Sequence, residues 1–428
     1  MTTSALAGSP SGRLSPLGNG WVLALLVAIN IINYADRTLV SVLAPAIQHE
    51  LDLSDTQIGA ITGLAFALTY GVTGLILARL ADRFGHGRVL VAAVACWSLM
   101  CFATAHVRSF WQLFAVRLGL GIGESGAGPA SLALIHGAFS GRTRTAAFAL
   151  FSGGTTVGIG TGVAAGGWLG SEYGWRDTMA IMAVPGLILA LLFALTVREP
   201  ARAESKAEEP PPSPTQVARE IWDDPLRRAL TISYALAAFA YAGFAQWAPT
   251  FYMRVHEMTL REVGSTYSIS SSGGAFLGIL VGGVVVGRIM QRSIAAALGL
   301  CGALALASGI FAVAAFLVDG RILSLAFFTL FGLAAGATYA PTIALFQERC
   351  GAQSRAFAAA VMLLVAVIFG QGGGPFAIGL LSDFFRGHQV GGPLELALVV
   401  ASVSLLFSAA LLFRARGHAH REHALSTV

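Results

Sequence analysis

Charge is what this sequence has least of. Asp, Glu, Lys and Arg make up 11% of its 428 residues, against about a quarter in an ordinary soluble domain. Lysine occurs once, as Lys206. A chain so poor in charge and 55% apolar has too few polar side chains to face water on all sides, which excludes a soluble globular fold. The four cysteines, Cys96, Cys101, Cys301 and Cys350, lack metal-ligand spacing and sit in or beside apolar runs, so they read as small buried hydrophobes. No Walker A sequence is present to support ATP-driven work. Gly121, Gly123 and Gly126 satisfy G-x-G-x-x-G, but inside a long apolar run with no preceding strand, the wrong setting for a dinucleotide. His136 is the one histidine close to the apolar segments, and it stands without a nucleophile or metal partner in the pattern. The expectation is therefore no enzyme, no cofactor and no metal.

What the chain does have is long apolar runs. Bilayer hydrocarbon is about 30 Å thick, so a helical crossing needs roughly 20 mainly apolar residues. Twelve such runs occur, at about 21–45, 57–78, 89–105, 110–135, 145–169 and 178–197, then 229–251, 263–286, 294–317, 322–346, 356–381 and 394–413. They are too long and too continuous for the alternating strands of an outer-membrane barrel, and a backbone in lipid must satisfy its own hydrogen bonds. An all-α integral membrane fold with twelve helices follows. About twenty mostly polar residues without a small-residue cleavage site precede the first span, so it is expected to be retained.

The basic residues set the orientation. With both termini on one side, the segments on that side carry nineteen of them and the opposite loops six, Arg108, Arg176, Arg254, Arg261, Arg321 and Arg386. The positive-inside rule places both termini in the cytoplasm of a cell inner membrane. The same distribution accounts for the net charge of +5 without nucleic acid, because the arginines mark loops and are not interleaved with base-stacking aromatics. His418, His420 and His423 fall in the C-terminal tail, 414–428, expected to be solvated.

Residues 198–228, rich in Pro, Glu and Arg, read as a cytoplasmic linker that cannot bury an apolar face. They separate an N-terminal six-helix bundle, 21–197, from a C-terminal one, 229–413, with a tail at 1–20. Faint self-similarity at an offset of about 211 supports duplication: Pro129 matches Pro341, Arg144 matches Arg355, and GWLGSE at 167–172 matches GLLSD at 379–383. Two such bundles can rock about a midplane cavity.

Ionisable residues within the spans are few, and each costs about 2.5–3.5 kcal/mol at a helix centre on insertion scales. Asp36 and Arg37 lie in the first span, Arg117 and Glu124 in the fourth. Arg117 and Glu124 are two turns apart on one face, and all four project to overlapping depths. Either they form an ion-pair network that fixes packing, or they couple a proton to an anion, since protonating a carboxylate frees its Arg partner. Asp82, Arg83 and Gly85 make a charged turn after the second span, a candidate cytoplasmic gate together with Arg144. The equivalent turn of the second half keeps Gly287 and Arg288 without an Asp. Gly154, Gly158, Gly162 and Gly166 form a stripe for close helix approach or for bending, with GQGGGP at 370–375 as a hinge in the matching span. Tyr34, Phe66, Tyr70, Tyr234, Tyr241, Phe244 and Trp247 are candidates to line an apolar compartment.

The Asp82, Arg83, Gly85 turn resembles the signature loop of the major facilitator superfamily, although Ala78 stands where that loop usually has Gly. Within that superfamily, NYADR, LSDTQIGAITGLAFALTYG, SFWQLFAVRLGLGIGES and GWRD look like the spinster-type transporters and their bacterial homologues. The resemblance implies alternating access by two six-helix bundles, and its animal members export sphingosine 1-phosphate or lysophospholipids, some with proton coupling. It places the family's acidic and basic residues on Asp36, Arg37, Arg117 and Glu124, with GES here where GEA is common. Anion:cation symporters of the same superfamily also carry an NYxDR and a GEA stretch, so the solute stays open between lipid-like amphiphiles and small carboxylates. With one lysine in the chain, Arg37 and Arg117 are the span-embedded cations available to hold an anion. A multidrug exporter is the other alternative, although span five lacks the Gly-Pro motif of antiporters. Expected partners are a small-molecule substrate, protons and membrane lipids, around a monomer.

Overall fold

The computed structural model describes residues 17–198, 214–351 and 355–426, and among these every regular element is helical. Nine helices among the described residues are long and apolar enough to cross a membrane. One of them, Gly141–Thr196, is two spans joined end to end: Gly174, at φ 76°, folds the chain back where an L side chain would be strained. The second span, Asp55–Gly59 continued through 60–64 and Ala65–Phe84, and the fourth, Phe110–Ala138, complete the twelve.

The first span, Asn19–Leu51, packs on span five along the glycine stripe. A Cβ on Gly158 would lie 2.5 Å from the Ile31 carbonyl oxygen, and one on Gly162 would lie 2.4 Å from that of Ala35. The stripe is therefore a close-packing seam. Spans two, eight and eleven each carry a π-helical stretch, at Ala60–Leu64, Val263–Tyr267 and Val367–Gly373. An extra residue per turn re-aims the side chains that follow it.

Three apolar cores organise the molecule. The first joins both halves, with Leu43 and Ile58 from one and Trp247, Phe251 and Ile378 from the other. The other two are separate, one per half: Leu26, Trp97 and Leu134 centre the first, and Leu230, Leu298 and Phe346 the second. The separate cores lie at the end that carries the linker, here called the linker end. The shared core lies at the opposite, loop end.

Two expectations are corrected. Residues 214–223 of the linker do bury an apolar face: they form a helix, Pro214–Asp223, whose Val217 and Ile221 join the linker-end core of the second half. A short amphipathic turn was hidden there among Pro and Glu. The last helix, Pro393–Ser426, continues past the expected end of span twelve, so most of the tail 414–428 is helical. Lys206, Arg202 and residues 1–16 lie outside the described residues.

Candidate functional site

The first and fourth spans bring the four embedded charges into one region of the N-terminal bundle. Arg37 Nε donates to Glu124 Oε2 at 2.9 Å, and a second guanidinium N–H reaches the same oxygen. The Glu124 side chain is wholly buried while that of Arg37 keeps 23% of its surface open. The Arg37 guanidinium is enclosed by ring faces, 4.3 Å from the Phe66 centroid, 5.0 Å from Tyr34 and 5.9 Å from Tyr70. Asp36 and Arg117 are buried and lie within electrostatic reach of Glu124 and of each other, yet neither forms an ion pair among the described residues. Arg117 Nε and Glu124 Oε1 have no hydrogen-bond partner, and the Trp97 indole N–H lies beside the Asp36 carboxylate without meeting hydrogen-bond geometry, the one donor placed near its oxygens among the described residues. Only one of the pairings open to the four is thus made.

A cavity of about 240 Å³ lies between the bundles, walled by Tyr34 and Thr155 from the first half and by Tyr234, Tyr241, Tyr339 and Gln371, among others, from the second. None of the four charges lines it. Tyr34 does, and its ring lies against the Arg37 guanidinium, so the ion pair stands one aromatic ring away from the cavity. Of the aromatic candidates, Tyr34, Tyr234 and Tyr241 reach the wall. Phe66 and Tyr70 enclose Arg37 instead, and Phe244 borders a smaller adjoining pocket. Trp247 does not line the cavity: it is fully buried in the shared core and donates its indole N–H to the Pro375 carbonyl at 2.8 Å. Its size suits it equally to binding and to packing, and the sequence carries no sign that separates the two.

At the linker end, the contacts described for Arg144 stay within its own half. Arg144 donates to the Phe139 carbonyl at 2.8 Å and reaches the His136 imidazole at 3.1 Å, both on the same half. Asp82 lies 3.9 Å from His86 one turn on, and Arg83 packs over Phe84.

The latch is at the other end. Asp55, at the N-terminus of the second span, receives two N–H groups of Arg254 at 2.9 and 3.0 Å, Arg386 at 2.5 Å, Gln48 at 2.7 Å and the Ser382 hydroxyl at 2.7 Å. Burial raises the Asp55 carboxyl, but Arg254, with Gln48 and Ser382, outweighs it and brings the pKa down to about 2. Asp383 of span eleven accepts from the Thr56 amide at 2.7 Å and the Thr56 hydroxyl at 2.6 Å, capping a helix of the other half. Backbones also meet here, because a Cβ on Gly59 would lie 2.5 Å from the Pro375 carbonyl oxygen and one on Gly167 would lie 2.4 Å from Gly264 Cα. In the sequence Arg254 and Arg386 stand only as loop charges. The one signal was the Ser54, Asp55, Gln57 capping box opening the second span.

Residues 26–375 match the family model of the Major Facilitator Superfamily. An MFS-type efflux pump of Mycolicibacterium smegmatis is 33% identical over 389 residues, 89% of each chain. Human protein spinster homolog 1 is 27% identical over 87% of this chain and 75% of its own. A probable galactarate/D-glucarate transporter of Bacillus subtilis is 24% identical over 66% of this chain and 68% of its own. The crystal structure of a bacterial homologue of the human lysosomal transporter spinster, inward-facing and unoccupied, superposes with a TM-score of 0.84 at 26% identity, covering 94% of this chain and 98% of that one.

Proposed function

The chain belongs to the Major Facilitator Superfamily as a spinster-type homologue, a multi-pass membrane transporter of organic solutes, and from that premise we propose that it moves an amphiphilic or anionic solute across the inner membrane by proton-linked alternating access. The observation that carries the reading is the buried Arg37–Glu124 ion pair one ring from a largely apolar cavity between the bundles. Apolar walls suit a hydrocarbon portion, and Arg37 is the cation stacked on one of them, Tyr34. Glu124 competes with the solute's anionic group for the Arg37 donors, so neutralising Glu124 with a proton releases those donors. Asp36 and Arg117 supply the balancing charges within the bundle.

With the termini in the cytoplasm, the loop-end latch is the closed periplasmic gate and the split cores mark an inward-facing state. Likeness to the inward-facing bacterial spinster homologue supports this assignment. The test uses proteoliposomes with an imposed pH gradient. Asp36→Asn and Glu124→Gln are expected to abolish gradient-driven accumulation, and wild-type accumulation in both would remove the carboxylates from the coupling. The solute class is read from a thermal-shift screen of lysolipids, sphingoid phosphates and small organic acids, in which the lysolipids and phosphates are expected to stabilise. Stabilisation by small acids alone would favour the organic-anion reading that the galactarate/D-glucarate relative suggests. Similarity to an efflux pump makes export of apolar compounds the remaining alternative.

A further inference from the structure

On the reading that Arg37 receives the solute's anionic group, we propose that Phe66 and Tyr70, with Tyr34, are positioning residues that hold the Arg37 guanidinium at the cavity edge once Glu124 is neutral, so that proton and anion are carried together.

All the hydrogen bonds of the Arg37 guanidinium go to one oxygen of Glu124. Protonation of Glu124 removes the charge that fixes them. A long cationic side chain set free in a bundle interior moves toward the next carboxylate, and Asp36 is the nearest along the chain, buried and with no hydrogen bond of normal geometry to its oxygens among the described residues. If Arg37 went there, a proton on Glu124 would hide the cation instead of presenting it.

The rings prevent this. Phe66 and Tyr70 are one turn apart on the second span, their centroids 4.9 Å apart and their planes at 30°, and together they face the guanidinium. Tyr34 adds a third face from the first span. Successive residues on a helix point about 100° apart, so Arg37 cannot turn to Asp36 without leaving all three rings. Ring faces attract the cation without consuming its N–H donors. The charged and titratable groups around Glu124 are Arg37, Arg117, Asp36, the Tyr70 phenol and the Cys101 thiol, drawn from spans one to four, and among the four charges Arg37 is the one stacked on Tyr34, which lines the cavity. With its cation fixed, Glu124 and the solute anion compete for the same donors. Proton binding then favours anion binding, and by linkage the reverse holds to the same degree. The two load into one state and cross together.

The experiment uses the full-length detergent-purified protein, with Glu124→Gln standing for the protonated residue and two probes of equal chain length, oleoyl lysophosphatidate and monoolein. Glu124→Gln is expected to bind lysophosphatidate about tenfold more tightly than wild type, with monoolein unchanged. Adding Phe66→Leu or Tyr70→Leu should erase that gain, whereas Tyr70→Phe, which keeps the ring, should preserve it. A gain that survives removal of both rings overturns the proposal. A ligand-free reading separates the ring enclosure from the solute: in the Glu124→Gln background, the melting-temperature effects of Arg37→Leu and Phe66→Leu are expected to be non-additive. Additive effects overturn the enclosure. Non-additive effects with no preference for the phosphate probe in any variant overturn the anion reading and the joint carriage, and leave the ring enclosure standing.

Discussion

Arg117 is buried in the N-terminal bundle with its Nε unbonded, and the nearby carboxylates of Asp36 and Glu124 offset its charge. Stripping one partner from a directly bonded buried pair costs about 3–5 kcal/mol, which is a ceiling for these longer-range contacts. Asp36→Asn is therefore expected to lower the melting temperature of the purified protein, and Asp36→Asn combined with Arg117→Gln to recover part of the loss. Losses that simply sum would show that the two residues do not share a field. These charges were legible in the sequence because a span so seldom carries any. Their pairing was not legible, since the depths let Asp36 and Arg37 meet Arg117 and Glu124, and only the rotation of span one against span four brings Arg37 onto Glu124 while leaving Asp36 and Arg117 unbridged among the described residues. The aromatic residues show the complementary failure. Phe66, Tyr70 and Trp247 read alike as cavity wall, yet two enclose a cation and the third packs under Pro375.

Between elements, the contacts that close the loop end join spans two and eleven and spans five and eight, and glycine makes both close approaches. An alanine at Gly59 would put its methyl 2.5 Å from the Pro375 carbonyl oxygen, too near for backbone to yield without moving the span. Gly59→Ala is expected to part spans two and eleven at the loop end, seen as a longer distance between spin labels on them. Gly128→Ala, where nothing lies within 4 Å, should leave that distance alone. The Asp55 latch adds a pH prediction. Its carboxyl is depressed to about 2 in the closed form, below an ordinary Asp near 3.9, so the latch is fully formed above the ordinary value and is lost only as pH falls toward 2. From pH 5 to 8 its contribution is constant. Asp55→Asn should therefore shift the spin-label distance distribution toward the open form by the same amount at pH 5.5 and pH 7.5. An effect confined to the lower pH would overturn this assignment. None of the latch was readable as a unit. Asp55, Arg254 and Arg386 stand far apart along the chain in segments where charge is ordinary, and only the fold brings them together.

For the molecule as a whole, the hydrophobic pattern carried the architecture, since twelve apolar runs, a polar break at the middle and a faint duplication need no tertiary contact to be seen. The conformational state had no such signature, because both states bury the same spans and differ in which ends meet. One shared core at the loop end, two separate cores at the linker end and a cavity between them set the observed arrangement. Alternating access requires the shared core to divide and Thr56 to leave Asp383 in every cycle. Joining those two positions should therefore stop transport without touching the ion pair or the cavity. In a background with Cys96, Cys101, Cys301 and Cys350 replaced by alanine, Thr56→Cys with Asp383→Cys, bridged by a short bifunctional methanethiosulfonate, is expected to lose nearly all flux in proteoliposomes. Reduction of the bridge should restore that flux. Each single-cysteine variant treated in the same way should keep the flux it shows before treatment. A bridged protein that still transports at the unbridged rate would mean that the loop end need not open, and the two-bundle rocking argued from the three cores would have to be replaced by motion at the linker end alone.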